Sequence, residues 1–138
     1  MRIGVLNNVR AGRNPRRAAR VRAFLQAHPE VSQVETENGE HVAEALLLLA
    51  RKGVELLAVN GGDGTLQRTL SEILGTGCFP QPPLIAPLRG GRTNMNALDI
   101  GSQHNPVTAL ESLLHAARNG GVQEGIEHRA VLVVEFDD

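Results

Sequence analysis

What most restricts the fold of this chain is the alternation of short apolar runs with segments of helical pattern. Arg2 to Asn7 carries Ile3, Val5 and Leu6 and runs into the turn-formers Asn7, Asn8 and Gly12, the mark of a short buried strand. A helix is expected next. Asn14 is placed to cap it, Pro15 to take its first position, and Ala18, Val21, Ala23, Phe24 and Leu25 give it an apolar face ending near Pro29. Val31 to Thr36 reads as a second strand, Glu40 to Lys52 as a second helix closed by Gly53, and Leu56 to Asn60 as a third strand. Thr65 to Leu74 then reads as helical with Gly75 as its stop, and Leu84 to Pro87 as a fourth strand. A short helical stretch, Asn94 to Leu98, follows, and Asn105-Pro106 opens a helix to about Arg118. This order predicts βαβ units, a parallel sheet and a three-layer α/β fold.

Composition narrows the function classes. With 138 residues, 41% hydrophobic and 21% charged, the chain suffices for one core and is a poor candidate for disorder. The longest apolar run, Ala45 to Ala50, is far short of the ~18 residues of a membrane span. Met1 leads into no signal-peptide pattern, so the cytoplasm is the expected compartment. A lone Cys78 excludes an internal disulfide and reads as an inert side chain. Net charge of −1, with three Phe and no Trp or Tyr, argues against a nucleic-acid partner. The five histidines, at 28, 41, 104, 115 and 128, show no metal-ligand spacing.

Charge is nonetheless unevenly placed. Arg2, Arg10, Arg13, Arg16, Arg17, Arg20 and Arg22 all precede the first acid, Glu30. On a helix, Arg13, Arg16, Arg17 and Arg20 follow i, i+3, i+4, i+7 spacing and share one side. That side is either an ordinary solvated face or a surface for phosphate or anionic lipid.

In open parallel sheets ligands bind beyond the carboxyl ends of the strands. Three loops there carry glycine: Asn8-Val9-Arg10-Ala11-Gly12, Gly61-Gly62-Asp63-Gly64-Thr65, and Arg89-Gly90-Gly91-Arg92-Thr93-Asn94. Backbone amides at a helix start suit phosphate. In the central loop the glycines are expected to take positive φ and to approach a ligand, with the Thr65 hydroxyl on a phosphate oxygen. Asp63 would repel a bare polyphosphate, so it faces Mg²⁺, positions a hydroxyl, or merely caps the helix. Arg89 and Arg92 pair with carboxylates or face a phosphate, and Asp99 ends a helix or adds a second carboxylate. No G-x-x-x-x-G-K-[ST] is present, since the single lysine, Lys52, ends a helix, and no complete G-x-G-x-x-G follows the first strand.

Gly61-Gly62-Asp63-Gly64-Thr65-Leu66 in this setting resembles the catalytic domain of the diacylglycerol kinase and sphingosine kinase family, whose G-G-D-G core extends to NAD kinase and 6-phosphofructokinase. The resemblance takes in the family's N-P-x-[SA]-G loop, here Asn8 to Gly12, a Thr ending the second strand, here Thr36, and a later segment, here Pro87 to Met95. It implies an ATP site lined by Asn8, Arg10, Ala11, Gly12, Thr36, Gly61, Gly62, Gly64, Thr65 and Thr93, with Asp63 catalytic and near Mg²⁺. Departures are Val9 for the usual Pro, Gln67-Arg68 for Asn-Glu, Arg92 before Thr93, and Met95 for Asp. The implied activity is transfer of the ATP γ-phosphoryl group to a lipid hydroxyl. Phosphorylation of a soluble acceptor, as by NAD kinase, and a non-catalytic nucleotide- or membrane-binding module are the alternatives. The family has a second, mostly β domain bearing the general base and part of the lipid cleft. Residues 1–126 are thus expected to form the nucleotide-binding domain and 127–138, with the strand-like Val131 to Phe136, to begin the second. The fragment alone is expected to be inactive. Peripheral contact with a membrane is implied; the oligomeric state is left open.

Overall fold

The computed structural model describes residues 1–10, 15–89 and 106–119, with residues 15, 63 and 89 described as backbone alone. Four strands, β1 (Ile3–Asn8), β2 (Ser32–Thr36), β3 (Leu56–Gly61) and β4 (Leu84–Arg89), form one sheet in the order β2-β1-β3-β4. Every pairing is parallel. The helices are α1 (Pro15–Gln26), α2 (Val42–Arg51), α3 (Asp63–Thr76) and α4 (Pro106–Arg118), and a short 3-10 turn, Gly39–His41, precedes α2. This is the expected α/β class.

Strand side chains alternate between two cores, because successive residues of a strand point to opposite faces. Ile3, Val5, Leu56 and Ala58 meet Val21 and Leu25 of α1 and Ala109, Leu110 and Leu114 of α4. Leu6, Leu57 and Val59 face the other way, onto Val42, Ala45, Leu46 and Leu49 of α2 and Leu66 and Ile73 of α3. Helices on both faces make three layers. The fully buried Leu6, Leu25, Leu46, Leu49, Leu57 and Leu110 each contribute roughly 1.5–3 kcal/mol of transfer free energy. Among the described residues no helix is long and apolar enough to cross a membrane.

The strand order sets where a ligand fits. From β1 the chain passes to α1 on one face, and from the adjacent β3 it passes to α3 on the other. Where neighbouring strands of an open sheet send the chain to opposite faces, a crevice for a ligand is expected at their carboxyl ends.

Two glycine expectations need correction. Gly75 does not stop α3, which runs on to Thr76 and ends where Gly77 takes the left-handed conformation, φ 63°. Nor do the loop glycines take positive φ: among the described residues only Gly53 and Gly77 do. Gly53, at φ 73°, follows α2 as expected. Residues 94–98 and the strand-like run at 131–136 lie outside the described residues.

Candidate nucleotide-binding site

Three strand ends converge in this crevice. Asn8 and Thr36 are register partners on β1 and β2, and Gly61 ends β3 one position beyond the Asn7–Asn60 pairing. By strand alternation Thr36, Asn8 and Gly61 share the face covered by α2 and α3. Asn8 Nδ2 donates to Thr65 Oγ1 at 2.9 Å, joining the loop after β1 to the first turn of α3. Its Oδ1 accepts from the Arg10 N–H at 3.1 Å, which fixes the amide's orientation. Because the Thr65 oxygen accepts from Asn8, the Thr65 hydroxyl proton is left to donate elsewhere.

The role of Gly61 is space. A Cβ there would lie 2.7 Å from both the Cβ and the Oγ1 of Thr65, so α3 sits against β3 only because Gly61 has no side chain. Gly62 is the N-cap of α3, extended at φ −87° and ψ −172°, and it supplies no side-chain cap. The first helical hydrogen bond runs from Leu66 N–H to the Gly62 carbonyl at 3.1 Å. The earlier N–H groups of the first turn are thus left to solvent or a ligand, where the helix dipole also favours an anion. Asp63 is the first residue of α3 and not its cap, which removes the capping alternative. A Cβ on Gly64 would meet nothing within 4 Å.

Thr36 is 2% exposed and its Oγ1 has no partner among the described residues. An orphaned hydroxyl at the strand end is what a site missing its ligand would show. Val9 explains one departure from the family pattern. Its N–H donates to the Thr36 carbonyl at 3.1 Å, a bond that proline, lacking the donor, cannot make. The loop after β1 is therefore tied to β2 by a backbone bond in place of a ring constraint. The Arg10 side chain turns outward to Glu37, 3.3 Å away.

Asn8, Gly61 and Thr65 are thus in contact, with Thr36 beside them and Gly62 and Gly64 on the same turn. Ala11, Gly12, Arg92, Thr93, Met95 and Asp99 lie outside the described residues. Sequence reading missed Asn7 and Asn60, although a polar residue ending each of two apolar strands was a visible signal. Gln67 and Arg68 line an open groove of about 560 Å³ along α3 with Gly64, Ser71, Glu72, Gly75 and Thr76. An Arg68–Glu72 ion pair of 3.4 Å lies within it. Of the candidate site residues, the groove lining includes Gly64 alone.

The family model for the diacylglycerol kinase catalytic domain matches residues 2–122. The chain belongs to this family. A crystal structure of a diacylglycerol kinase from Bacillus anthracis str. Sterne is similar at 23% identity and a TM-score of 0.62, over 78% of this chain and 37% of that one. A candidate diacylglycerol kinase from the same organism is similar at 22% identity and the same TM-score, over 78% and 37% of the two chains. At such identities the likeness carries the fold, and the chain spans less than two-fifths of either structure's length. No curated protein matches it.

Proposed function

We propose that this domain binds Mg²⁺-ATP and serves transfer of the γ-phosphoryl group to a lipid hydroxyl of the diacylglycerol type. The observation that carries this reading is the start of α3. It has no side-chain cap, it is packed on β3 through Gly61, and its Thr65 hydroxyl is oriented by Asn8. Amides of the first turn would bind phosphate oxygens, and the Thr65 proton would add a donor. Thr36 Oγ1 would gain the partner it lacks. Mg²⁺ takes oxygen ligands and is commonly held by one or two carboxylates with the substrate's own phosphates, so the Asp63 carboxylate would hold it together with the nucleotide. When bound, the ion neutralises charge on the phosphates. By the family resemblance, Ala11, Gly12 and Thr93 are further candidates for nucleotide contact. On this reading the general base and the lipid cleft would come from a second domain, so the nucleotide-binding domain alone would bind nucleotide without transferring phosphate.

Calorimetric titration tests this directly. The expected Kd of the nucleotide-binding domain for Mg²⁺-ATP is roughly 0.1–1 mM, about −4 to −5.5 kcal/mol. A folded protein giving no heat and no thermal shift at ~5 mM nucleotide would exclude the site.

A lipid acceptor further requires the enzyme to work at a bilayer, and α1 supplies suitable charge. Arg16 and Arg20 are exposed on α1, whereas Arg22 is bound to Glu35 through contacts of 2.7 and 3.0 Å. That hydrogen bond and the Glu35 charge hold the Arg22 guanidinium above its ordinary pKa. Each basic residue near an anionic surface contributes ~1 kcal/mol at low salt, so changing both Arg16 and Arg20 to Gln should weaken binding to phosphatidylserine vesicles ~10- to 30-fold. Co-sedimentation reads this; equal binding of the two proteins, or binding indifferent to salt, would reduce α1 to a solvated face.

A further inference from the structure

The apolar columns that cross the sheet beneath α1 and α4 break at their last rung. On β1 the column runs Ile3, Val5, Asn7; on β3 it runs Leu56, Ala58, Asn60, and each pair is in register. Asn7 is 0% and Asn60 5% exposed. Asn60 Nδ2 donates to Asn7 Oδ1 at 2.7 Å, while Asn7 Nδ2 and Asn60 Oδ1 have no partner among the described residues. Turning both amides over would exchange the roles and still leave one donor and one acceptor unmatched. A leucine or valine would fill either position without that penalty, which is about 1–3 kcal/mol for each buried polar group left unsatisfied.

The position of the pair gives its use. Asn7 immediately precedes Asn8, and Asn60 immediately precedes Gly61, so the bond fastens the two central strands where the proposed nucleotide loops leave them. We infer that Asn7 and Asn60 are a positioning pair that sets the spacing between the Asn8 loop and the first turn of α3. The inference rests on the nucleotide-site reading for its function, though not for its geometry. A directional bond holds one separation, whereas apolar side chains at the same rung would tolerate several. The Asn8–Thr65 contact, one residue above, depends on that separation. Neither asparagine would touch the nucleotide.

The experiment compares wild type with the double variant Asn7→Leu/Asn60→Leu by thermal melting, amide hydrogen exchange and Mg²⁺-ATP titration. The double variant should melt at or above the wild-type temperature, since an unsatisfied polar pair has become apolar. Exchange at residues 9–10 and 62–66 should nevertheless quicken ~10-fold, and the Kd should rise ~10-fold, because the loops are no longer held at one spacing. Wild-type exchange and wild-type affinity in a stable double variant would overturn the inference and leave the pair as core filling. If wild type itself binds no nucleotide, the kinase reading fails and exchange alone decides this one. Should the double variant not fold, Asn60→Asp and Asn60→Leu carry the test. The aspartate can still accept from Asn7 Nδ2 once that amide turns over, so it should keep slow exchange at 62–66 where leucine does not; equal exchange in the two would overturn the inference.

Discussion

Under the proposed function, Asp63→Asn is expected to lower phosphoryl transfer by ~100-fold or more in protein that turns over, while leaving stability within about 1 kcal/mol of wild type. The amide keeps the size of the carboxylate and removes its charge. An acid at the first position of a helix gains modestly from the helix dipole, and since α3 begins at Asp63 a small stability effect of its charge is expected. Its larger use, under the proposed function, is toward the metal and phosphates, where charge builds up during transfer. Turnover and melting temperature measured on one preparation separate the two. Unfolding with normal specific activity in the surviving fraction would assign Asp63 a structural role.

Gly61→Ala should have the opposite profile. The added methyl would sit 2.7 Å from the Cβ of Thr65, an atom fixed to the helix backbone, so the first turn of α3 must move off β3. Overpacking of this kind destabilises by about 1–3 kcal/mol, equivalent to a melting temperature lower by roughly 3–15 °C, and the Asn8–Thr65 bond goes with it. Gly64→Ala is the control. With nothing within 4 Å of the new Cβ, the helix gains an alanine in place of glycine, and stability should hold or rise by about 0.5–1 kcal/mol. A loss of nucleotide affinity in that variant without loss of stability would mark a ligand's approach to the Gly64 backbone.

Much of the architecture was legible because local chemistry and tertiary need agree. Pro15 and Pro106 open their helices as their fixed φ suggests, and Gly53 follows α2 with the positive φ only glycine takes easily. The end of α3 was misplaced because Gly75 and Gly77 are equally plausible stops in one dimension. The second won because Ile73 is still buried against α2, which holds the helix through another turn. The loop glycines were recognised for the wrong reason. A glycine string suggests unusual backbone angles, but Gly62 is extended, and Gly61 is needed for what lies above it, a residue four positions on. Asn8 and Thr65 could be nominated separately from the motif, while their contact across 57 residues required the fold. Asn7 and Asn60 went unnoticed because asparagine at a strand end ordinarily signals a turn, and only burial shows these two to be part of the core.

The strand order also has a consequence for synthesis. β1 is made first and lies inside the sheet, between β2 and β3, with Asn7 and Asn60 separated by 53 residues. At about 5–20 residues per second a ribosome needs roughly 3–10 s after finishing β1 to deliver the strand that closes its second edge. Throughout that interval Ile3, Val5 and Leu6 have at most one neighbouring strand to cover them, and unpaired edges of this sort recruit other nascent chains. The segment that carries the Asn8 loop is therefore the one a chaperone has most reason to hold, and slow translation between β2 and β3 should depress soluble yield more than slow translation after β4.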